Sequence, residues 1–418
     1  MNRPNIIFCH VDQMHWNALS GLGNPDVKTP HLDRMYKEGT SFSNHWSANP
    51  ICCPARTSWY TGTPSYTHDT LTNNVTMRRD LPDLGQWMSA RDYDCYYAGK
   101  WHVVGRDVKR SFKVLDHGSP RGEALDSSVT RTAVSFLDQY KGDQPFFLNL
   151  GYLNPHDCCY LDIIKEVYAI KLGLEKKFPM PPLPETATAP PRGAYSSTWN
   201  EEQRRLYIWY YYRMMEMVDA EVGTVFLALE NSRHADNTIF IFTADHGEHL
   251  MEHNQTKKGG SWEAACRVPL LVIGPGVRQG VCDTTQISGG TDITATILDY
   301  AGIEPMPEMD GTASLRPALE GESGRLKEYV VSESYFIPKK ASMRTVYFDD
   351  LKVVCNRHEK RFSVYNFMTD KHELKDLKTT AEGTAAIAKA ETYLAEWAKL
   401  HKPSPRIREN PEMLETGK

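Results

Sequence analysis

Two aspartates far apart in the chain directly follow apolar runs. Asp12 closes Asn5-Ile6-Ile7-Phe8-Cys9-His10-Val11, and Asp245 closes Thr238–Ala244 with His246 beside it. In an open α/β sheet ligands gather at the carboxyl ends of strands, so two such carboxylates are natural partners for one metal ion. Gln13 adjoins Asp12 and widens the donor set. A glutamine oxygen binds a hard cation without adding charge, whereas an imidazole such as His246 suits softer ions. A third group is Cys52-Cys53-Pro54-Ala55-Arg56. Pro54 fits a first helical turn, which puts Cys52 at a helix N-terminus that favours anionic oxygen, with Arg56 about one turn on. Gly99-Lys100-Trp101-His102 and Asn154-Pro155-His156 follow two further predicted strands, and Lys257-Lys258 precede Gly259-Gly260. Together these residue types describe a cationic, metal-assisted site for an anionic group.

Cys52-Cys53-Pro54-Ala55-Arg56, with Thr61-Gly62 downstream, resembles the Cys-x-Pro-x-Arg signature of the type I sulfatases, in the alkaline phosphatase superfamily. By that resemblance a formylglycine-generating maturation enzyme oxidises Cys52, not Cys53. The resemblance extends from Pro4 to about Leu377. It implies that Asp12, Gln13, Cys52, Asp245 and His246 surround a divalent metal, Gln13 standing where a second aspartate is commoner. Calcium is the usual ion of the family, and Gln13 with His246 brings manganese and zinc into consideration. Gly99–His102 resembles the family's Gly-Lys-Trp-His element, which gives Lys100 contact with the sulfate group and makes His102 a base as sulfate is expelled. His156 is implied as the acid that protonates the leaving alcohol. Counting back from Glu263 in Lys258-Gly259-Gly260-Ser261-Trp262-Glu263 selects Lys258 as the second sulfate-binding lysine.

The implied activity is hydrolysis of a sulfate monoester, on a small molecule or an oligosaccharide. Cys-Cys-Pro at the nucleophile, with His68, Asn73 and Asn74 shortly after it, resembles sulfatases of sulfated amino sugars. Those three side chains are expected to bind sugar or to cap turns. A rival keeps the site and changes the substrate to a phosphonate monoester or phosphodiester, since relatives of that kind share the Asp-Gln and Asp-His variants. A rival of another class is a non-catalytic binder of sulfated glycans, with Cys52 left as a thiol. His246, His249 and His253 do not form His-Glu-x-x-His, and Gly247 interrupts a helix there, so no separate zinc centre is expected from them.

Apolar runs alternating with amphipathic stretches position these residues, which is the pattern of a βαβ sheet. Asn5–Val11, Tyr96–Ala98, Pro145–Tyr152, Thr238–Ala244 and Val268–Ile273 read as strands covered on both faces. Leu81–Arg91, Ser127–Tyr140 and Asn200–Asn231 read as helices. In the last, Tyr210, Met214, Val218, Val222, Val225 and Leu229 form one core stripe, and Trp209–Tyr212 reads as core packing. Residues 178–200 are Pro-rich, which predicts a long surface excursion that borders the site. Beyond about residue 320 the runs Tyr329–Glu333, Thr345–Phe348, Lys352–Cys355 and Phe362–Asn366 predict a small antiparallel sheet, with Asp349-Asp350 as a hairpin turn and a helix at Ala381–Leu400. The expected fold is a large mixed, mostly parallel sheet flanked by helices (1–320), with a C-terminal α+β subdomain (321–418).

A formal charge of -5 argues against nucleic acid or an anionic membrane as partner. No run approaches the roughly 20 apolar residues of a membrane helix. Nine scattered cysteines do not read as a disulfide framework. Residues 5–11 read as core strand rather than leader, so the expected location is cytoplasmic with Met1 native, and periplasmic or secreted with a leader removed. The sequence leaves the oligomeric state open.

Overall fold

The computed structural model describes residues 3–118, 121–161, 178–191, 196–336, 341–356 and 361–410. Its strands in the first half are β1 (Asn5–Asp12), β2 (Thr40–Phe42), β3 (His45–Trp46), β4 (Asp94–Gly99), β5 (Lys113–Asp116) and β6 (Phe146–Pro155). They continue as β7 (Thr238–Ala244), β8 (Leu270–Ile273), β9 (Val281–Asp283) and β10 (Ser288–Gly289). The C-terminal region adds β11 (Val330–Phe336), β12 (Ala341–Phe348), β13 (Leu351–Asn356) and β14 (Arg361–Asn366). Eight strands form one sheet in the order β5-β4-β6-β1-β7-β8-β2-β9, and the last four form a second sheet in chain order. In the large sheet β5, β4, β6, β1 and β7 are all parallel, while β8 runs antiparallel to β7 and β2.

Strand β1 is buried along its length, and its Ile6–Cys9 run is apolar because both of its faces are covered. Successive side chains feed opposite cores. Ile7, Cys9 and Val11 meet Met214, Val218 and Val222 of the Glu201–Glu230 helix. Ile6 and Phe8 lie in the other core with Ile293 and Ile297 of the Gly290–Ala301 helix. Neighbouring parallel strands bring their carboxyl ends to one edge. There β4 delivers Lys100, β6 delivers His156, β1 delivers Asp12 and β7 delivers Asp245.

The predicted strands and helices are present with shifted ends. Pro82 and the Asp83 cap, whose carboxylate accepts from Gln86 N at 3.0 Å, delay the Leu81–Arg91 helix to Leu84–Ser89. The short strands β2, β5 and β9 and the Gly290–Ala301 helix are additions to the sequence reading. The C-terminal hairpin turns at Asp349-Asp350, and the Ala381–Leu400 helix lies where expected. The Pro-rich excursion packs on the loop after β7: Thr186 Oγ1 accepts from His253 N at 3.0 Å, and Ala189 N donates to Asn254 Oδ1 at 2.7 Å. Residues 192–195 of that stretch lie outside the described residues. Among the described residues no helix is long and apolar enough to cross a membrane.

Candidate active site

Cys52 opens the Cys52–Thr61 helix, all of it buried, beside the carboxyl ends of β1 and β7. Ile51 is extended and has no capping side chain. The cap comes from elsewhere: Asn73 Oδ1 accepts from Cys53 N at 3.0 Å. Four residues after Cys52, Arg56 points the same way along the helix. Its guanidinium donates to Asp245 Oδ2 at 2.8 Å, Asp12 Oδ2 at 3.2 Å and the Lys100 carbonyl at 2.8 Å. Arg56, Asp12 and Asp245 are all fully buried, and an ion pair of this kind persists in a protein interior only with its hydrogen bonds made.

The donor atoms of Asp12, Cys52, Asp245 and His246 lie within 4.8 Å of one another. His246 Nδ1 lies 2.9 Å from the Gly247 carbonyl, an acceptor, so the proton sits on Nδ1. With Nδ1 so engaged, Nε2 faces Cys52 Sγ at 3.2 Å. The amide of Gln13 is oriented the same way by its neighbours. Nε2 donates to Glu248 Oε2 at 2.5 Å, so Oε1 turns to Lys258 Nζ at 2.9 Å. Two carboxylates, an inward imidazole nitrogen and a neutral amide oxygen together fit a divalent metal. Cys52 Sγ stands where an oxygen of the oxidised residue would be.

Lys258 Nζ also donates to Cys52 Sγ at 2.9 Å, and Lys100 Nζ donates to Asp12 Oδ2 at 2.5 Å. Burial and Asp12 push the Cys52 thiol up, yet Lys258, Lys100 and His246 outweigh them and hold it well below the ordinary thiol range. The place is therefore electrostatically prepared for a negative group. His102 and His156 complete the rim, each with a buried Nδ1 that has no hydrogen-bond partner among the described residues. Burial, with Lys258 and Lys100, pushes His156 down to about 3 against the pull of Asp12. Hydrogen bonds to the Cys52 and Cys53 side chains raise His102 to about 9, and an oxidised residue 52 would remove the first of these causes.

Backbone conformation places these groups. Gly99 has φ +100°, and a Cβ there would meet the Gly151 carbonyl oxygen at 2.1 Å, so only glycine lets the chain turn into Lys100. Between β7 and Lys258 the loop bends repeatedly, with positive φ at Leu250, Met251, His253, Asn254 and Lys257. Glu248, fully buried, accepts from Gln13 Nε2, Tyr207 OH at 2.9 Å, Leu250 N at 3.2 Å and Lys257 N at 2.6 Å. One carboxylate thus ties Gln13 to the loop that carries Lys258. Sequence reasoning missed it, because a glutamate after Asp-His-Gly reads as solvated. Tyr211 of the aromatic run, read as core, also reaches the site and donates to the Gln13 carbonyl at 2.8 Å.

His68, Asn73 and Asn74, expected to bind sugar or to cap turns, are engaged in local structure. His68 is fully buried, accepts from Thr70 N at Nδ1 (3.1 Å) and meets Ser58 Oγ through Nε2 (3.0 Å), so both ring nitrogens hold the fold. Asn73 commits its amide oxygen to the helix start, and Asn74 is an exposed turn residue with φ +66°. His68→Ala is expected to cost about 1–3 kcal/mol of stability with little change in KM, read by denaturant unfolding and initial rates. His249 and His253 turn away from His246. The first meets the Gly259 carbonyl, and the second meets the His372 carbonyl and stacks on Trp262.

The family model described as Sulfatase matches residues 4–303. The Delta 4,5-hexuronate-2-O-sulfatase of Bacteroides thetaiotaomicron is 26% identical over 364 residues, covering 79% of this chain and 75% of that one. Among solved structures, a 2-O GAG sulfatase superposes with a TM-score of 0.83 at 23% identity, covering 100% of this chain and 95% of that one. The phosphonate monoester hydrolase of Agrobacterium radiobacter gives a TM-score of 0.78 at 20% identity, with coverage of 95% and 96%. At these identities the two structures speak to the fold alone, and one fold carries both chemistries.

Proposed function

This chain belongs to the sulfatase family, whose members are sulfuric ester hydrolases, and on that premise we propose that it cleaves a sulfate monoester on a sulfated carbohydrate. The observation that carries the reading is a buried Cys52 at a helix start, within reach of the Lys258 ammonium and the Asp12–Asp245–His246 donor set. Formylglycine at position 52 would supply, as its hydrate, a hydroxyl nucleophile for sulfur and a second hydroxyl through which sulfate could leave. A divalent metal held by Asp12, Gln13, Asp245 and His246 supplies positive charge beside residue 52 and lowers the pKa of a hydroxyl placed there.

The chain's own groups do the rest. Lys100 and Lys258 hold the sulfate oxygens and offset the charge that grows on them as the ester bond breaks. Arg56 keeps Asp12 and Asp245 in place and adds its own charge beside residue 52. His156 gives a proton to the departing alcohol oxygen. A bound anionic ester offsets the Lys100 and Lys258 charges that, with burial, hold this imidazole down. His102 takes up a proton as sulfate is expelled. The hexuronate substrate of the bacterial relative supports a carbohydrate, whereas the burial of His68 removes a residue basis for preferring an amino sugar.

Peptide mass spectrometry across Ser47–Arg56 of protein from its native host tests the nucleophile. An aldehyde at position 52 is expected; an unmodified thiol would leave only a glycan-binding role. Gln13 and His246 favour a second reading, hydrolysis of a phosphonate monoester or phosphodiester. Parallel assays are expected to give an aryl sulfate a kcat/KM at least about tenfold above that of the matching aryl phosphonate, and the reverse order would assign the second reading. Chelation is expected to lower kcat by at least about a hundredfold. Calcium should restore it; fuller recovery with manganese or zinc would mean that the imidazole decides the ion.

A further inference from the structure

The two faces of the C-terminal sheet have different surroundings. Val346, Val353, Cys355 and Val364 pack on Ala386, Ala390 and Leu394 of the Ala381–Leu400 helix. The strand register places Tyr347, Lys352 and Tyr365 abreast on the other face, and Met343, Asn356 and Arg361 abreast four residues further along the strands. At the first row this face is docked on the main body. Tyr347 stacks on Trp46 with centroids 3.9 Å apart, and the buried Lys352 ammonium pairs with Glu263 at 3.0 Å and Glu373 at 2.6 Å. Beyond that row the sheet stands off and faces Lys258–Trp262 across a cleft of about 720 Å³. The cleft therefore begins at Lys258, whose ammonium touches Cys52 Sγ, and runs out over the sheet.

Its lining has a consistent chemistry. Lys258, Arg361 and Lys378 contribute to it, and among the described residues no aspartate or glutamate does. Lys378 is half-exposed and shares its charge with Asp376 at 3.0 Å, and Asp376 does not line the cleft. Trp262 and Tyr365 give it aromatic surface, with ring centroids 6.0 Å apart, and Trp262 is held by parallel stacking on His253 at 3.6 Å. Asn356 and Ser363 add neutral donors and acceptors. Aromatic faces meet the C–H surfaces of sugar rings, neutral polar groups meet hydroxyls, and guanidinium or ammonium groups pair with sulfate or carboxylate.

We propose that this cleft receives the continuing chain of a sulfated oligosaccharide, with Arg361 and Lys378 engaging a second sulfate or carboxylate on a sugar beyond the one that is cleaved. The proposal rests on the reading of Lys258 as a ligand of the target sulfate. It makes the preferred substrate a polyanionic oligosaccharide, and it makes the C-terminal sheet the element that selects it.

Binding in a Cys52→Ala background separates this proposal from catalysis. Calorimetry at about 0.1 M salt would compare a sulfated glycosaminoglycan tetrasaccharide with the disaccharide that ends in the same sulfated sugar. The tetrasaccharide is expected to bind at least about tenfold more tightly. Arg361→Gln combined with Lys378→Gln should remove most of that difference, and Trp262→Ala should weaken the tetrasaccharide independently of charge. Equal affinity for the two saccharides, or a tetrasaccharide affinity that survives the double substitution, would overturn the proposal. Absence of hydrolysis of every sulfate ester by the unsubstituted chain would remove the catalytic reading and leave this comparison to decide the subsite.

Discussion

Cys52→Ala is expected to lower kcat on every sulfate ester by at least about 10⁴-fold, because removing a covalent nucleophile leaves only charge stabilisation and binding. The loss should be specific to one of two adjacent cysteines. Cys52 Sγ lies 2.9 Å from Lys258 Nζ and 3.2 Å from His246 Nε2, whereas Cys53 is a fully buried helix residue whose carbonyl accepts from Thr57 Oγ1. Cys53→Ser should therefore act chiefly on stability. Cys52→Ser distinguishes chemistry from geometry. Its hydroxyl can accept a sulfuryl group but has no second hydroxyl through which to release it, so sulfated enzyme should accumulate and be visible as an intact mass. Full turnover by Cys52→Ser, or equal losses at both positions, would sink the assignment.

Arg56→Met should cost about 3–5 kcal/mol of stability in the presence of chelator, together with at least about a 10³-fold loss of kcat. The reason is arithmetic of charge. One guanidinium stands between two carboxylates, and all three side chains are fully buried. Removing it brings two like charges face to face and leaves Asp245 without its guanidinium, with the Lys100 ammonium still paired to Asp12. Arg56→Lys should recover little, because three acceptors in different directions (Asp245, Asp12 and the Lys100 carbonyl) match a planar fork and not a single ammonium. Urea unfolding in chelator and single-turnover rates read the two effects separately. A wild-type unfolding midpoint for Arg56→Met would mean that the acids do not depend on it.

The parts of this molecule legible in the sequence are those in which a single physical demand fixes the residue type. Strand β1 is buried at every position because helices cover both faces, which demands the apolar run Ile6–Cys9 and Val11, and Asp12 ends that run where the strand meets the site. The Glu201–Glu230 helix shows its stripe for the same reason. Strand β9 (Val281-Cys282-Asp283) is a short edge strand with an exposed cysteine, so nothing in it forces a pattern. The Gly290–Ala301 helix is rich in threonine and isoleucine, which hid it behind strand-like composition. At the site, Asp12, Arg56 and Asp245 were readable from strand ends and helix spacing. His68 left two roles open in the sequence, because a histidine looks the same whether it faces a sugar or fills a buried hydrogen-bond network. Glu248 and Lys352 escaped notice because their burial arises from packing between distant segments.

The depth of Cys52 also sets a chronology. In the folded chain its side chain is 1% exposed, and Pro54 and Arg56 are sealed in the same helix, with Arg56 locked to two acids from other strands. No catalyst can read residues 52 to 56 as a substrate while they are in that state. If a maturation enzyme oxidises this cysteine, that step has to come before the sheet closes over it, during the interval when the segment is still extended. On that condition, a molecule that misses the interval would fold around an unoxidised cysteine and stay so until it unfolds, and the fraction of competent enzyme would be decided by a race between modification and folding.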